Sequence, residues 1–362
     1  MQALPNFMKA VQLIGHGGFD KLKFRDDVAV PKPKDDEVLI KVSAAGINNT
    51  DINTRLGWYS KSIQTDTNEI SKKNIKLNND KDASWSGNSL IFPRIQGADV
   101  CGKIVSVGKN INQSRIGERI IARSMQSNPN DILKVSCRVL GSEFDGDFAE
   151  YVTIRSDETF KINSKWTDIE LASIPCAYST AEGILHKANL HLDKIFINGA
   201  SGGVGSAAIQ LAKRRGAHIT AQCSSSKIKK IKMIGADEVV SRDEDLILKF
   251  GKNHFDIVVD LIAGKKWSIL LEILKPGGKY LTAGAIAGPI VNLDVRTLYL
   301  KDLTFYGCTH QPIEVFKNLI KYIENDEIKP LIYKTFSLEK IVDAQKEFLK
   351  KDFVGKIVID IN

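Results

Sequence analysis

The stretch "IFINGASGGVGSAAIQLAKRRGA", Ile195 to Ala217, decides how the chain is read. Lys194 to Asn198 is apolar, β-branched and aromatic, the composition of a short buried strand. Four glycines follow between Gly199 and Gly205. Val204, Ala207, Ala208, Leu211 and Ala212 then recur at helical spacing. Lys213, Arg214 and Arg215 close the last turn, where cations suit the negative end of the helix dipole, and Gly216 stops it. The glycines therefore lie between a strand and a helix N-terminus. Free backbone N–H groups converge there, and a phosphate can come close to the main chain. A dinucleotide pyrophosphate is the usual occupant; an empty tight turn is the alternative.

The flanking sequence favours the dinucleotide. "AHITAQC", "EVVSR", "FDIVVDLI", "KYLTAG" and "LTFYGCT" read as further strands. "SSSKIKKIKMIGAD" reads as a turn, a helix and a glycine stop, and "KKWSILLEILKPGG" as a helix ending at Pro276–Gly277–Gly278. Strands and helices alternate from Lys194 to Thr309, the pattern of a parallel, doubly wound α/β sheet.

The end of the second strand selects the nucleotide. A site for NAD usually places a carboxylate there, ~20 residues past the first glycine, to bond the ribose hydroxyls. Gln222, Cys223, Ser224, Ser225 and Ser226 stand there instead, followed by Lys227, Lys229 and Lys230. Hydroxyls and an ammonium suit a 2′-phosphate that a carboxylate would repel, so the expected cofactor is NADP(H). In the plainer reading the serines cap the next helix and the lysines form a solvated face.

With 362 residues the chain has room for two domains. No apolar run approaches the ~20 residues of a membrane span, and "MQALPNFMKAVQLIG" lacks the pattern of a secretory leader. Cys101, Cys137, Cys176, Cys223 and Cys308 are dispersed and odd in number, which fits a reducing cytoplasm rather than a disulfide framework. The formal charge of +8 is spread without a basic block, so a solvated surface is expected and a nucleic-acid partner is not.

Residues 8–164 differ from the centre. "KAVQLI", "EVLIKVSAAGIN", "CGKIVSVG", "ERIIARS" and "DFAEYVTIRS" are short strand-like runs broken by Gly, Pro, Asn and Asp, as in a β-rich domain. After Thr309 come a helix ("IEVFKNLIKYIEN"), a linker, a second helix ("EKIVDAQKEFLKK") and a last strand ("GKIVIDI"). Ser60 to Ser89 is polar and reads as a long exposed loop, with or without a short helix, either a lid or simply mobile.

Taken in order, "MKAV", "VLIKVSAAGINNTDINTRLGWY", "FPRIQGADVCGKIVSVG", "IGERI", "GDFAEYV", "ASIPCAYSTAEGIL", the glycine stretch, "LKPGGKYLTAG" and "GKIVIDI" resemble the medium-chain dehydrogenase/reductase superfamily, closest to its zinc-free quinone oxidoreductase-like branch. The resemblance implies a GroES-like β-barrel catalytic domain from both chain ends (1–164 and 311–362) around a Rossmann domain (165–310), with the active site in the cleft. It also implies a homodimer. Cofactor contacts would come from Thr180, Ser201, Gly202, Gly203, Val204, Cys223, Ser224, Ser225, Lys227 and Gly284.

In zinc-using relatives three ligands hold the metal. The matching positions here are Asn48, Ala98 and Cys176, and of these only Cys176 is a ligand type. Asp99 adds one oxygen at most, and the stretch after Arg123 offers Cys137 alone for a structural zinc lobe. No metal is expected, and Cys176 reads as a small buried residue. A metal-free cleft suits conjugated carbonyls and quinones, whose developing oxyanion needs only hydrogen-bond donors. Asn48 and Tyr59 are the candidate catalytic donors; their plainer roles are to satisfy a turn and to pack an aromatic ring. The leading expectation is an NADPH-dependent reductase of quinones, enones or related small carbonyl compounds. An alcohol/aldehyde dehydrogenase is the enzyme alternative, and a non-catalytic NADPH- or nucleic-acid-binding protein is the alternative of another class.

Overall fold

The structure is a computed structural model and describes residues 4–73, 81–128, 131 and 136–362. The first part of the chain forms β1 (Phe7–Leu13), β2 (Leu22–Ala29), β3 (Glu37–Gly46), α1 (Asn49–Leu56) and α2 (Thr67–Lys73). It continues through β4 (Arg94–Ile95), β5 (Val100–Val107), β6 (Arg119–Ala122), β7 (Met125–Ser127), β8 (Cys137–Val139), β9 (Tyr151–Arg155) and β10 (Thr159–Lys161). Helices α3 (Asp168–Leu171) and α4 (Pro175–Ala188) then lead into β11 (Lys194–Asn198), α5 (Gly203–Arg214), β12 (His218–Cys223) and α6 (Ile228–Ile234). Next are β13 (Glu238–Ser241), α7 (Leu246–Phe250), β14 (Phe255–Asp260), α8 (Trp267–Glu272), β15 (Leu274–Thr282), α9 (Val295–Leu300) and β16 (Thr304–Gly307). The chain closes with α10 (Ile313–Glu324), β17 (Ile332–Ser337), α11 (Ile341–Lys350) and β18 (Lys356–Asp360).

The described strands form four sheets, β2-β1-β4 and β7-β8 being small, and the two larger ones organise the fold. One runs β13-β12-β11-β14-β15-β16, parallel throughout. Strand order reverses at β11, which pairs with both β12 and β14, so a crevice opens beyond their C-terminal ends, directly at the glycine loop. The other runs β10-β6-β5-β3-β18-β17, with β9 also on β3. The last strand thus pairs antiparallel with β3, and both chain ends build one sheet. This is the expected α/β architecture.

Helix α4 joins the two halves. Its Ala177, Tyr178, Ala181 and Ile184 share one buried cluster with Ala44, Cys101 and Ile121 on one side and Ile195, Ile197 and Ala221 on the other. Phe316, Leu319 and Ile323 of α10 enter the same cluster, so the parallel-sheet side also buries the face of α10. A helix packed on both sheets fixes where the cleft residues stand.

Three local expectations are corrected. The helix read over "KKWSILLEILKPGG" stops at Glu272, and Pro276, Gly277 and Gly278 lie within β15, where the register to β14 shifts. Pro276 fits because that irregularity releases a ladder position from donating. The linker after α10 contains β17, whose alternation is too polar to stand out. The stretch 60–89 carries a short helix, α2, but is not simply exposed: Ser60, Thr67, Ile70, Ala83 and Ser84 are buried. Residues 74–80 of that stretch lie outside the described residues.

Candidate active site

The glycine loop is shaped by what a side chain would strike. Gly199 has φ +85°, and a Cβ on Gly205 would come 2.3 Å from its carbonyl oxygen. At Gly202 an added Cβ meets only that oxygen, at 3.9 Å, so this face of the loop is open. Helix α5 starts at Gly203, and its first N–H groups have no intrahelical acceptor. An open glycine face under a helix N-terminus fits a dinucleotide pyrophosphate. Ser201, Gly202, Gly203 and Val204 are the residues that would hold it. Thr180 lies on α4 and is buried, and a Cβ on Gly284, just after β15, would lie 3.1 Å from the Leu261 carbonyl oxygen.

At the end of β12, Cys223 is buried, and burial pushes its thiol pKa up. The Ser225 hydroxyl lies 2.9 Å from that of Ser241. Ser224 caps no helix with its side chain, which removes one plainer reading of the serines. Lys227 turns inward and donates from Nζ to the Lys351 carbonyl oxygen, joining the loop to the end of α11. Arg242 stands beside this turn, its N–H bonded to the Cys223 carbonyl at 2.8 Å and its side chain exposed. Burial lowers the Lys227 pKa, and the Arg242 charge adds to that lowering. Neither Arg242 nor Lys351 carried a motif that singled it out.

Across the crevice, β3 delivers Asn48 to the start of α1. Gly46 has no side chain because a Cβ would lie 2.4 Å from Asp99 Oδ2. Asn48 donates from Nδ2 to Asp99 Oδ2 at 2.7 Å, and more weakly to the Gly46 carbonyl at 3.4 Å. Its Oδ1 accepts from Lys356 Nζ at 2.5 Å, and the same ammonium donates to Asp99 Oδ2 at 2.7 Å. Asp99 Oδ1 accepts the Cys176 N–H at 2.5 Å. Asp51 accepts the Asn48 N–H at 2.7 Å; burial pushes its carboxyl up to about 7 against the pull of that bond and of Lys356. Asp147 is buried with both side-chain oxygens unpartnered, and burial, then Asp99 and Asp51, hold its carboxyl well above the usual range. Lys356 and Asp147 stand within "GKIVIDI" and "GDFAEYV", where nothing local marks them as buried charges.

Tyr59 follows Gly57, whose φ of 67° turns the chain out of α1. Its hydroxyl donates to Thr50 Oγ1 at 3.2 Å, and burial raises its pKa, so it stays protonated. Its ring meets Trp85 from the long insertion and Trp58 on its own segment. Trp85 opens onto a cavity of about 620 Å³ lined also by Asn128, Cys137, Arg138, Glu143 and Thr309. Thr309 follows β16, so the cavity runs from the insertion to the edge of the parallel sheet.

These side chains do not suit zinc. At the three ligand positions, Asn48 is bonded to an ammonium, Ala98 offers no donor, and the Cys176 thiol is pushed up by burial and then by Asp99. Among the described residues no group of three or more His, Cys, Asp or Glu is arranged to hold a metal ion. No described helix is long and apolar enough to cross a membrane.

Comparison with known proteins agrees with this geometry. The family described as "Alcohol dehydrogenase GroES-like domain" matches residues 34–164, and "Zinc-binding dehydrogenase" matches residues 203–325. Human quinone oxidoreductase is 27% identical over 97% of each chain. The 2-methylene-furan-3-one reductase of Solanum lycopersicum is 29% identical over 99% of this chain and 80% of its own. A solved structure from Sinorhizobium meliloti, provisionally named an alcohol dehydrogenase, is 40% identical, with a TM-score of 0.88 over 100% of this chain and 99% of its own. The GroES-like part, the parallel-sheet part and the relatives over nearly the full length agree. The chain is an oxidoreductase of the medium-chain dehydrogenase/reductase superfamily, among its quinone oxidoreductase-like members.

Proposed function

We propose that the protein reduces quinones, enones or related α,β-unsaturated carbonyl compounds with NADPH, without a metal. One observation carries the reading: Lys356 Nζ is bonded to both Asn48 and Asp99 at the place where relatives of the zinc-using kind would need ligands. The reduced nicotinamide supplies the hydride. Asn48 has one amide hydrogen committed to Asp99 and a second held only at 3.4 Å, which is free to meet a developing oxyanion. The Tyr59 hydroxyl, protonated and relayed through Thr50, supplies the proton that completes addition across the double bond. The names of the human and tomato relatives point the same way.

NADPH rather than NADH is supported by Ser224, Ser225 and Lys227 after β12, by Arg242 after the neighbouring β13, and by the lack of a carboxylate at the last residue of β12. A homodimer through the β16 edge is supported by the exposed Val295, Tyr299 and Leu300 of α9 beside that edge. The five cysteines are all free, as a cytoplasmic protein would have them. The domain limits 1–164 with 311–362, and 165–310, remain part of this reading.

The name of the S. meliloti structure favours a second reading, alcohol/aldehyde dehydrogenation. One assay separates the two. Purified protein is given NADPH or NADH with a simple quinone, an aliphatic enal or an aldehyde, with and without chelator. Chelator-insensitive NADPH oxidation by quinone or enal is expected. Turnover of aldehyde alone, abolished by chelator, overturns the proposal.

A further inference from the structure

Lys356 begins β18 and is 3% exposed. A lysine ammonium has three donors and no acceptor. All three are taken: the Ile47 carbonyl at 3.0 Å, Asn48 Oδ1 at 2.5 Å and Asp99 Oδ2 at 2.7 Å. The group therefore has no donor left for a substrate. What it does is fix the neighbouring amide. An ammonium only donates and a carboxylate only accepts, so Asn48 must turn Oδ1 to Lys356 and Nδ2 to Asp99. The reverse orientation would set donor against donor and acceptor against acceptor.

The same lysine reaches the cofactor loop. A Cβ on Gly203 would lie 2.9 Å from its Cδ, so its stem crosses the first residue of α5. The preceding N–H, of Gly355, donates to the Ser201 carbonyl at 3.3 Å. The following carbonyl, of Ile357, accepts from Ile47 at 2.9 Å. Three consecutive residues thus tie the glycine loop to the turn that carries Asn48.

We propose that Lys356 is a positioning residue for the reduction: it holds the Asn48 amide with Nδ2 as the donor and couples that orientation to the seat of the dinucleotide. This rests on reading Asn48 as the donor to the substrate carbonyl. The competing role is that of a buried counter-ion for Asp99, needed only for folding.

The double variant Lys356→Met/Asp99→Asn separates the roles, because it removes the ammonium and the carboxylate bonded to it together. It also lets residue 99 present an amide N–H that turns the Asn48 amide over. The expected result is a thermal midpoint near wild type, with kcat for quinone lower by on the order of 100-fold, the size of effect a misplaced reacting group produces. A double variant with wild-type kcat overturns the proposal. A second readout needs no turnover: the side-chain amide signal of Asn48 in protein labelled with 15N-asparagine, assigned by its loss in Asn48→Ala. It is expected to shift when NADPH binds the wild type. A signal that ignores NADPH overturns the coupling, even if the double variant does not fold. A wild type that turns over no quinone, enal or other conjugated carbonyl, yet shows the shift, overturns the reductase reading and leaves the Lys356 linkage standing.

Discussion

The ring of Trp85 meets the ring of Tyr59 edge-on, 4.8 Å between centroids at 70°. Trp85 belongs to the long insertion and Tyr59 to the segment leaving α1, so on the proposed reading of Tyr59 the insertion forms a wall of the site. Its hold is polar. Trp85 N donates to Ser142 Oγ at 3.3 Å, and Ser86 N donates to Glu143 Oε1 at 2.9 Å while Glu143 Oε2 accepts from Val139 N at 2.8 Å. An aromatic wall favours a flat ring over a flexible chain.

Trp85→Ala is therefore expected to raise KM for a ring quinone by roughly 5- to 10-fold, the factor that a lost aromatic contact of about 1 kcal/mol gives. KM for an aliphatic enal changes little. Steady-state assays with both acceptors check this, and equal losses for both would show that the ring only supports the loop.

The glycine loop gives two opposite expectations from residues three apart. At Gly205 a Cβ would collide with the Gly199 carbonyl at 2.3 Å, so Gly205→Ala should lower the thermal midpoint by several degrees with or without cofactor. At Gly202 there is room within the protein but not beneath a phosphate. Gly202→Ala should keep the midpoint and weaken NADPH binding about 10-fold or more, as read by quenching of tryptophan fluorescence. A Gly202→Ala protein that binds NADPH normally would remove the pyrophosphate from this loop.

Legibility in the sequence followed the range of the interactions. The β11–glycine–α5 unit was plain because strand, turn and helix are neighbours in the chain and each leaves its own period. The β15 boundary was misplaced because Pro276 and Gly277 normally punctuate, and only the tertiary ladder with β14 keeps them in a strand. Asn48, Tyr59 and Cys176 were legible through motifs. Lys356 and Asp147 were not, because Lys356 lies 308 residues from its partner Asn48, and nothing local in "GKIVIDI" or "GDFAEYV" tells a buried charge from a solvated one. Burial in the insertion stayed hidden for the same reason: Thr67 and Ile70 are buried by packing that a polar composition conceals.

A buried pair joins β6 to the residues after β16. Arg123 donates to Glu158 Oε2 at 2.9 Å and to the Gln311 carbonyl at 2.6 Å, and both charged side chains are 2% exposed. Arg123→Met strands a carboxylate and should cost about 3–5 kcal/mol in urea unfolding. Arg123→Met/Glu158→Gln should recover most of that, because Gln keeps an acceptor for Ser127 N–H. If the double variant were no more stable than the single one, the pair would not be the source of the loss.

The last expectation concerns protons. Lys351 donates from Nζ to Asn49 Oδ1 at 3.2 Å, and burial, then the Lys227 charge, lower its pKa from 10.5 to about 7. Between about pH 7 and 10.5 the folded lysine is neutral while the unfolded one is charged. The unfolded state then binds more protons, so this group makes stability rise with pH through that window. A 2′-phosphate bound beside Lys227 and Lys351 would hold the proton on. On the NADPH reading, binding at pH 8 should therefore take up a proton, and affinity should fall as pH rises above about 7. The phosphate, with a second pKa of about 6, is already a dianion at that pH and contributes little itself. Calorimetric titration at pH 8 in two buffers of different ionisation enthalpy counts the protons. NADPH is expected to show uptake that NADH lacks and that Lys351→Met abolishes. Identical heats for NADPH in both buffers would place the 2′-phosphate away from this pair of lysines.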